Sequence, residues 1–466
     1  MAKLPAKRIP GLSGKLGRVL RDTQIDEAQP GSILRDFQVL LDFVGDGLPS
    51  AGKHHLLPMR RLTELNARLS RPIELRLKRP QQRSYPYIQG LYLLGRATEL
   101  VFAEGSGTKA RLVRNDPVLA SWAGLNLTER YFTLLEAWLL RARPEMIAQR
   151  GGWRTSMYYE VFQLWNSVPA EGLEVQPIHE CAFSGDFGHQ PALMDLFGLL
   201  ELEHGSPRAG KPWCPRRARR RLFGEALFQL IARRLMRPWL LPGELLHRAE
   251  EKWEDDAVAE EDSEEDHDRD EEELEDEDLP PDESEPAFGQ WQAIFQPYFP
   301  EWRNNLVIPG PEFREGTFVF RASLGRTWRR IAIPADGDLD DLANAILNSM
   351  DFDHDHLWCF EYRDRRGAAV RAEGPRYAAS HCDGLNLLDA SIGELPLTRG
   401  DGMTFVYDFG DNWQFDVKLE RVDPPDEAIA AATILDAKGD PPAQYGSWDE
   451  EGWVADDPDR DAEDEA

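Results

Sequence analysis

Alternation of apolar and polar side chains predicts a β-hairpin in the last quarter of the chain. The runs Met403–Phe409 and Trp413–Leu419 alternate on either side of a Gly410-Asp411-Asn412 turn, a pattern that is typical of hairpins. Three strands and one helix are predicted upstream of it, at Thr317–Leu324, Trp328–Pro334, His356–Tyr362 and, for the helix, Leu339–Met350. This order predicts an α+β domain with a β-grasp-like mixed sheet and one main helix on one face.

Helical periodicity dominates the N-terminal half instead. Apolar residues between Ser32 and Val44 recur at the spacing of one helical face. Helices are also predicted at about Arg60–Leu69 and after Pro86, ahead of a hairpin centred on Gly105-Ser106-Gly107. The order helix, helix, hairpin is that of a winged helix, and it recurs more faintly after Pro191. We therefore predict a mainly α, winged-helix-like region with two such units; the alternative is an irregular helical domain.

The net charge of −29 is divided unevenly along the chain. It is +12 over residues 1–249, −21 over 250–286, −11 over 287–448 and −9 over 449–466. An acidic segment with almost nothing to bury is typical of a disordered linker. The predicted organisation is a flexible N-terminus (1–30), a mainly helical basic domain (31–249), an acidic disordered linker (250–286), an α+β domain (287–448) and an acidic disordered tail (449–466).

A run of arginines gives the basic half its densest positive charge. It comprises Arg216, Arg217, Arg219, Arg220 and Arg221, and we expect it to open a helix that continues to about Met236. The run is a candidate binding site for the phosphates of nucleic acid. The alternative is a solvated helical face with apolar residues buried behind it.

Acidic and imidazole side chains cluster in the sequence of the α+β domain. Carboxylates together with imidazoles suit Zn, Mn or Fe. The candidate metal ligands are Asp353, His354, His356, His381, Asp408 and Asp411, with Asp355 beside them. The alternative is structural, since Asp408 and Asp411 can accept hydrogen bonds from turn amides. Asp408, Asp411 and Trp413 are also candidate binding residues at the hairpin.

Five stretches of the α+β domain carry a family resemblance. They are WRRIAIP at 328–334, LDDLANAIL at 339–347, FDHDHLWCF at 352–360, IGELPL at 392–397 and YDFGDNWQFDVKLE at 407–420. Residues 288–421 thereby resemble the plasmid pRiA4b ORF-3-like family, whose members are passengers of insertion elements. The resemblance implies an α+β domain tied to mobile elements, with no established catalytic activity. The family usually continues into a segment with Cys and paired glycines, of which only Asp440–Gly446 remains here.

Several function classes lack their sequence signals. The chain has no G-x-x-x-x-G-K-[ST] phosphate loop, no G-x-S-x-G elbow and no apolar run of membrane-spanning length. Four cysteines without a C-x-x-C pair favour reduced thiols and a cytoplasmic location. We expect a non-enzymatic adaptor without a cofactor or a membrane, whose basic half contacts nucleic acid or a protein partner. The alternative is a metal-dependent enzyme that acts on nucleic acid or a phosphoester.

Overall fold

We describe a computed structural model of the chain. It describes residues 12, 14–105, 109–149, 157–235, 287–310, 312–374, 391–445, 447–449 and 452–454. The predicted acidic linker, most of the predicted tail and His381 lie outside these described residues.

The first unit of the N-terminal half is helical with a small three-stranded sheet. Its short first strand, β1, pairs antiparallel with β3, which also pairs with β2, so β3 is the middle strand. The helix expected over Ser32–Val44 is present as α2, which buries Phe37, Leu40 and Leu41 as that pattern requires. The elements are α1 (Gly14–Asp22), α2 (Ile33–Val44), β1 (Leu48–Pro49), α3 (Met59–Arg68), α4 (Pro86–Ala97), β2 (Val101–Glu104) and β3 (Arg111–Arg114).

Two connecting helices and a second unit follow. From α7 to β6 the second unit repeats the element order of α2 to β3 in the first. Its first strand again pairs antiparallel with its third, which is the middle strand of the sheet β4-β6-β5. The connecting helices are α5 (Asp116–Ala123) and α6 (Leu127–Glu136). The second unit comprises α7 (Met157–Ser167), β4 (Leu173–Glu174), α8 (Glu180–Phe183), α9 (His189–Leu196), β5 (Leu200–His204), β6 (Pro215–Arg220) and α10 (Leu222–Leu235).

The helix that precedes the second strand in each unit, α4 or α9, is buried along its whole length. The two helices pack against each other, with Leu193 of α9 lying over Gly90 of α4. The hydroxyl of Tyr87 in α4 donates a hydrogen bond of 2.9 Å to Oδ2 of Asp195 in α9. Arg71 donates to the other oxygen of Asp195 at 2.6 Å. The two units therefore share one hydrophobic core.

The arginine run does not open a helix, which corrects the sequence prediction. Residues 215–220 form strand β6, the middle strand of their sheet, and α10 begins only at Leu222. Ala218 is fully buried between exposed Arg217 and Arg219, which is the alternation of a strand. Pairing with β5 outweighs the helix propensity of arginine.

The C-terminal domain is built on a seven-stranded sheet with the order β10-β9-β11-β12-β7-β8-β13, beside a two-stranded sheet of β14 and β15. Helix α12 covers one face, where Leu342 and Ile346 are buried. Asp338 caps that helix as its position in the sequence indicates, accepting from the Asp341 N–H at 2.8 Å. The elements are α11 (Gln292–Phe295), β7 (Thr317–Leu324), β8 (Thr327–Pro334), α12 (Leu339–Ser349), β9 (Trp358–Arg363), β10 (Ala369–Glu373), β11 (Gly402–Tyr407), β12 (Trp413–Asp423), β13 (Thr433–Lys438), β14 (Ser447–Asp449) and β15 (Gly452–Val454).

The α+β class is confirmed, with helices in the N-terminal half and a helix-backed sheet at the C-terminal end. The sheet itself is not mixed, because each of its six pairings is antiparallel. The predicted helix-backed sheet is therefore present with antiparallel pairings. The consecutive strands β7 and β8, β9 and β10, and β11 and β12 pair with each other. Strand β12 also pairs with β7.

The aromatic segment 288–306 joins the core of the N-terminal half rather than the sheet that follows it. Trp302 stacks on Phe132 of α6 with ring centroids 4.4 Å apart. The buried carboxylate of Glu136 accepts hydrogen bonds from the N–H groups of Gly289 and Trp291 at 2.6 and 2.7 Å. The first residues after the acidic segment are thus fixed to α6.

Candidate functional site

Part of the predicted Asp/His cluster converges beside the C-terminal sheet. Asp353, Asp355 and His356 lie in the loop between α12 and β9, and each offers a ligand atom within 4.8 Å of the others. Asp408 approaches from the hairpin turn, with its Oδ2 3.6 Å from Nδ1 of His356. The carboxylates of Asp353, Asp355 and Asp408 and the imidazole of His356 are ligand types that can bind a transition metal.

Asp353 already has hydrogen-bond donors at both carboxylate oxygens. Its Oδ1 accepts from the hydroxyl of Tyr407 at 2.5 Å and from Nε2 of Gln444 at 2.8 Å. Its Oδ2 accepts from the hydroxyl of Tyr445. Partial burial opposes ionisation, but these hydrogen bonds outweigh it and hold the pKa of Asp353 well below its usual range. Asp353 is therefore an ionised carboxylate whose two oxygens both accept hydrogen bonds.

Gln444 and Tyr445 belong to the remnant segment after β13, and no pattern in the sequence places them at this cluster. The Asp353 N–H donates back to Oε1 of Gln444 at 2.7 Å. The Tyr445 hydroxyl also lies 3.1 Å from Nε2 of His356. The hydrogen bond to Asp353 raises the pKa of Tyr445 to about 12, so this phenol stays protonated at neutral pH. The segment Asp440–Gly446 therefore contributes two neutral hydrogen-bond donors, Gln444 and Tyr445, to the Asp353 carboxylate.

The remaining predicted ligands do not join the cluster. The ring nitrogens of His354 each lie 3.0 Å from a side-chain oxygen of α12, that of Asn344 or of Asn348. Asp411 is exposed at the hairpin turn. His381 lies outside the described residues.

The hairpin turn is held by Asp408. Asp408 adopts a left-handed backbone with φ 51°, and its Oδ1 accepts from the N–H groups of Gly410 at 2.9 Å and Asp411 at 3.4 Å. Asn412 is also left-handed, with φ 56°. These two residue types tolerate that conformation best after glycine. Trp413 packs edge-on against Phe352, with ring centroids 5.1 Å apart, and so serves the core.

Most of the arginine run is engaged by neighbouring side chains and carbonyls. Arg216 and Arg219 form ion pairs with Glu203 and Glu201 of the adjacent strand β5. Arg220 donates to the carbonyl of Trp165 at 2.8 Å. Arg221 donates to the carbonyl of Pro30 at 3.0 Å, and Arg217 is exposed. The run therefore presents much less positive charge to a ligand than its sequence suggests.

Comparison with known proteins finds a family match in the C-terminal domain. The model of the family described as "Plasmid pRiA4b ORF-3-like protein" matches residues 322–453, which include most of the helix-backed antiparallel sheet and the Asp353 loop. The resemblance to this family is thereby confirmed for that part of the chain. Among solved structures, a protein of unknown function from Methanosarcina mazei Go1 is similar at 25% identity over 27% of this chain and 71% of that chain, with a TM-score of 0.24. A search of curated proteins finds no match.

The helices were also compared with the requirements of a membrane span. Among the helices of the described residues, none is both long enough and apolar enough to cross a membrane.

Proposed function

We propose that the chain is a non-enzymatic binding protein, an adaptor whose N-terminal half consists of two winged-helix-like units. The observation that carries this proposal is the repeated element order helix, strand, helix, helix, strand, strand, with the first strand paired to the third in both units. We take this order as winged-helix-like, and the related helix-turn-helix modules bind DNA. Three side chains donate hydrogen bonds to the carboxylate of Asp353, which supports a structural role for the acidic cluster.

The partner we favour is nucleic acid, bound through its phosphate backbone. In helix-turn-helix modules the recognition helix enters the major groove. The corresponding helices here, α4 and α9, are buried against each other, which argues against base reading by that route. The charge of +12 over residues 1–249 favours an anionic partner. The link of the family to mobile elements agrees with this partner class, and a cytoplasmic location agrees with the free thiols Cys181, Cys214 and Cys359.

The proposal is tested by titrating the full-length protein into labelled single-stranded DNA, duplex DNA and RNA of mixed sequence. Binding should be independent of sequence, and the logarithm of the affinity should fall linearly with the logarithm of salt concentration. Absence of binding to all three at low salt would overturn the nucleic-acid assignment. A protein partner would then be the remaining class.

A second candidate function is a metal-dependent enzyme acting on nucleic acid or another phosphoester. It is favoured by the convergence of Asp353, Asp355 and His356 on one small volume. A divalent metal held there would activate water or polarise a phosphate oxygen. The donor set fits such a metal, but the three hydrogen bonds to Asp353 compete with it. Metal content by mass spectrometry and the melting temperature with and without a chelator separate the two candidates, since a bound metal gives chelator-sensitive stability.

A further inference from the structure

We infer that a basic groove at the meeting of the two halves binds the phosphate groups of a nucleic acid strand; this inference rests on the proposed nucleic-acid function. The groove has a volume of about 670 Å³ and lies on the sheet face opposite α12. Strands β7 and β12, the loop before β11 and the wing hairpin β2–β3 of the first unit border it. It is lined by the five cations Lys109, Arg321, Arg399, Lys418 and Arg421 and by one carboxylate, Glu420.

Two of these cations face each other directly across paired strands. Lys418 of β12 is the register partner of Arg321 of β7, and Arg321 is in turn the partner of Arg330 of β8. Like charges opposite each other in a sheet are destabilising. Arg330 is neutralised by Glu420 at 2.7 Å and Asp436 at 2.8 Å. An anion above Lys418 and Arg321 would relieve the remaining repulsion.

The acids near the groove are largely taken up by other cations. Glu420 is bound by Arg330. Lys418 and Arg321 form no ion pair among the described residues. The guanidinium of Arg321 lies 4.8 Å from the ring centroid of Trp328, and its buried Nε has no hydrogen-bond acceptor in the described part of the chain. Within the described residues, the positive charges of Lys418 and Arg321 therefore have no ion-pair partner, in a domain that is otherwise acidic.

A β-bulge brings a third cation to the same face. The register of β12 against β7 shifts between Leu419 and Arg421, so that Arg421 lies opposite Val319, two positions along β7 from Arg321. Bulges commonly re-aim a side chain in this way. Without the extra residue, Arg421 would point to the face that α12 covers. Arg421 is held in place by Asp423 at 2.8 Å.

The loop that carries Arg399 is fixed to the same strand. The N–H and the hydroxyl of Thr398 donate to Oδ2 of Asp401 at 2.8 and 2.7 Å. Gly400, with φ 97°, donates to the carbonyl of Leu419 at 2.8 Å. A turn bonded in this way holds Arg399 at the groove before a ligand arrives, which lowers the entropy cost of binding.

The groove is suited to backbone contact rather than to base reading. The ring of Trp328, beside Arg321, is already engaged by the guanidinium groups of Arg321 and Arg330, which lie 4.8 and 5.1 Å from its centroid. Binding by stacking needs an aromatic face that is open to a base. We therefore expect each cation to add a phosphate contact without sequence preference.

The test compares nucleic-acid binding by the full-length protein and three variants, Lys418→Gln, the double variant Lys418→Gln/Arg321→Gln, and the control Arg326→Gln. Arg326 is exposed in the β7–β8 turn, outside the groove, and its change removes the same charge. Labelled single-stranded and duplex oligonucleotides are titrated at several salt concentrations. Each lost phosphate contact should lower the salt slope by about one, so that the loss of affinity between 50 and 200 mM salt becomes about fourfold smaller.

The outcomes separate the groove from the proposed function. Weaker binding and a lower slope in both groove variants, with Arg326→Gln unchanged, would support the groove. Equal binding by all four proteins would overturn the groove and leave nucleic-acid binding intact. No binding by the unaltered protein would overturn both.

Two additions keep the result interpretable. Lys418→Arg keeps the charge and should bind like the unaltered protein, so a weaker Lys418→Gln with unchanged melting temperature reports charge and not folding. Polyglutamate serves as a competing polyanion without phosphate. Displacement of the oligonucleotide by an equal charge of polyglutamate would show that the groove accepts any polyanion, which contradicts the inferred preference for phosphate.

Discussion

A Cβ atom placed on Gly90 of α4 would lie 2.7 Å from Cγ of Leu193 in α9. The two residues thus set how closely α4 and α9 approach each other. Leu193 is fully buried, so its side chain has little room to move aside. This contact, with the hydrogen bond from Tyr87 to Asp195, makes α4 and α9 the interior of a single body. Both helices therefore have a structural role in the N-terminal half.

The first prediction concerns this contact. Gly90→Val should lower the free energy of unfolding by about 1–3 kcal/mol, because the added methyl groups overpack a close helix crossing. Thermal and urea unfolding measure the effect. Gly310→Val is the matched control, since a Cβ at Gly310 meets nothing within 4 Å. Equal stability of the two variants would show that the crossing is looser than described.

The sequence predicts a feature of this fold when the contacts that form it lie between residues close together in the chain. The cap at Asp338 bonds a residue three positions away, and the hairpin turn at Asp408 is held by its own side chain. Both were predictable from residue types and spacing. The arginine strand was not, because its partners Glu201 and Glu203 lie on another strand and arginine alone favours a helix.

The candidate site likewise combines residues that the sequence pattern groups with residues that are distant in the chain. Asp353, His356 and Asp408 were grouped from the sequence, and the structure brings them together. Gln444 reaches Asp353 across 91 residues of chain, and no local pattern indicates such a contact. The role of that segment therefore follows only from its contacts in the structure. The same holds for Lys418 and Arg321, whose juxtaposition depends on strand register.

The second prediction concerns the segment that closes over Asp353. Asp353→Asn should destabilise the C-terminal domain by about 1–2 kcal/mol, because three donors lose an ionised acceptor. The lowered pKa means that this contribution is present above the ordinary carboxyl range near 4 and is lost as pH falls below it. Unfolding at pH 7 and at pH 3 measures both effects.

Asp351→Asn is the control for that variant, because Asp351 is exposed in the same loop and its left-handed backbone suits asparagine. Tyr445→Phe should give part of the effect of Asp353→Asn. An Asp353→Asn protein as stable as the control at pH 7 would contradict the structural role and favour the metal candidate.

The third prediction separates the two aspartates of the hairpin turn. Asp408→Ala should cost about 1 kcal/mol or more, since it removes the acceptor of two turn N–H groups at a left-handed position. Asp411→Ala should change stability by less than about 0.5 kcal/mol, because Asp411 is exposed. Asp408→Asn should fall between them. Chemical denaturation of the three variants gives the ranking, and a larger loss for Asp411→Ala would reverse the assignment.

The fourth prediction uses the buried carboxyl of Glu136. Burial raises the pKa of Glu136 to about 7, although the Trp291 and Gly289 N–H groups oppose the shift. In the unfolded chain the same group titrates near its ordinary value of 4.5. Between these two values the folded protein binds more protons than the unfolded one, so the contribution of Glu136 to stability declines as pH rises. The decline amounts to at most about 3 kcal/mol.

Glu136→Gln isolates that effect because glutamine does not titrate. Glu136 offers one carboxylate oxygen to Gly289 and the other to Trp291, so glutamine loses one acceptor and the variant carries a constant penalty. The stability of the unaltered protein relative to the variant should therefore be greatest near pH 4.5 and shrink towards pH 8. Unfolding of both proteins across this range measures the difference. A difference that does not vary with pH would mean that Glu136 is ionised throughout, and that the segment 288–306 is bound to α6 by a charged group.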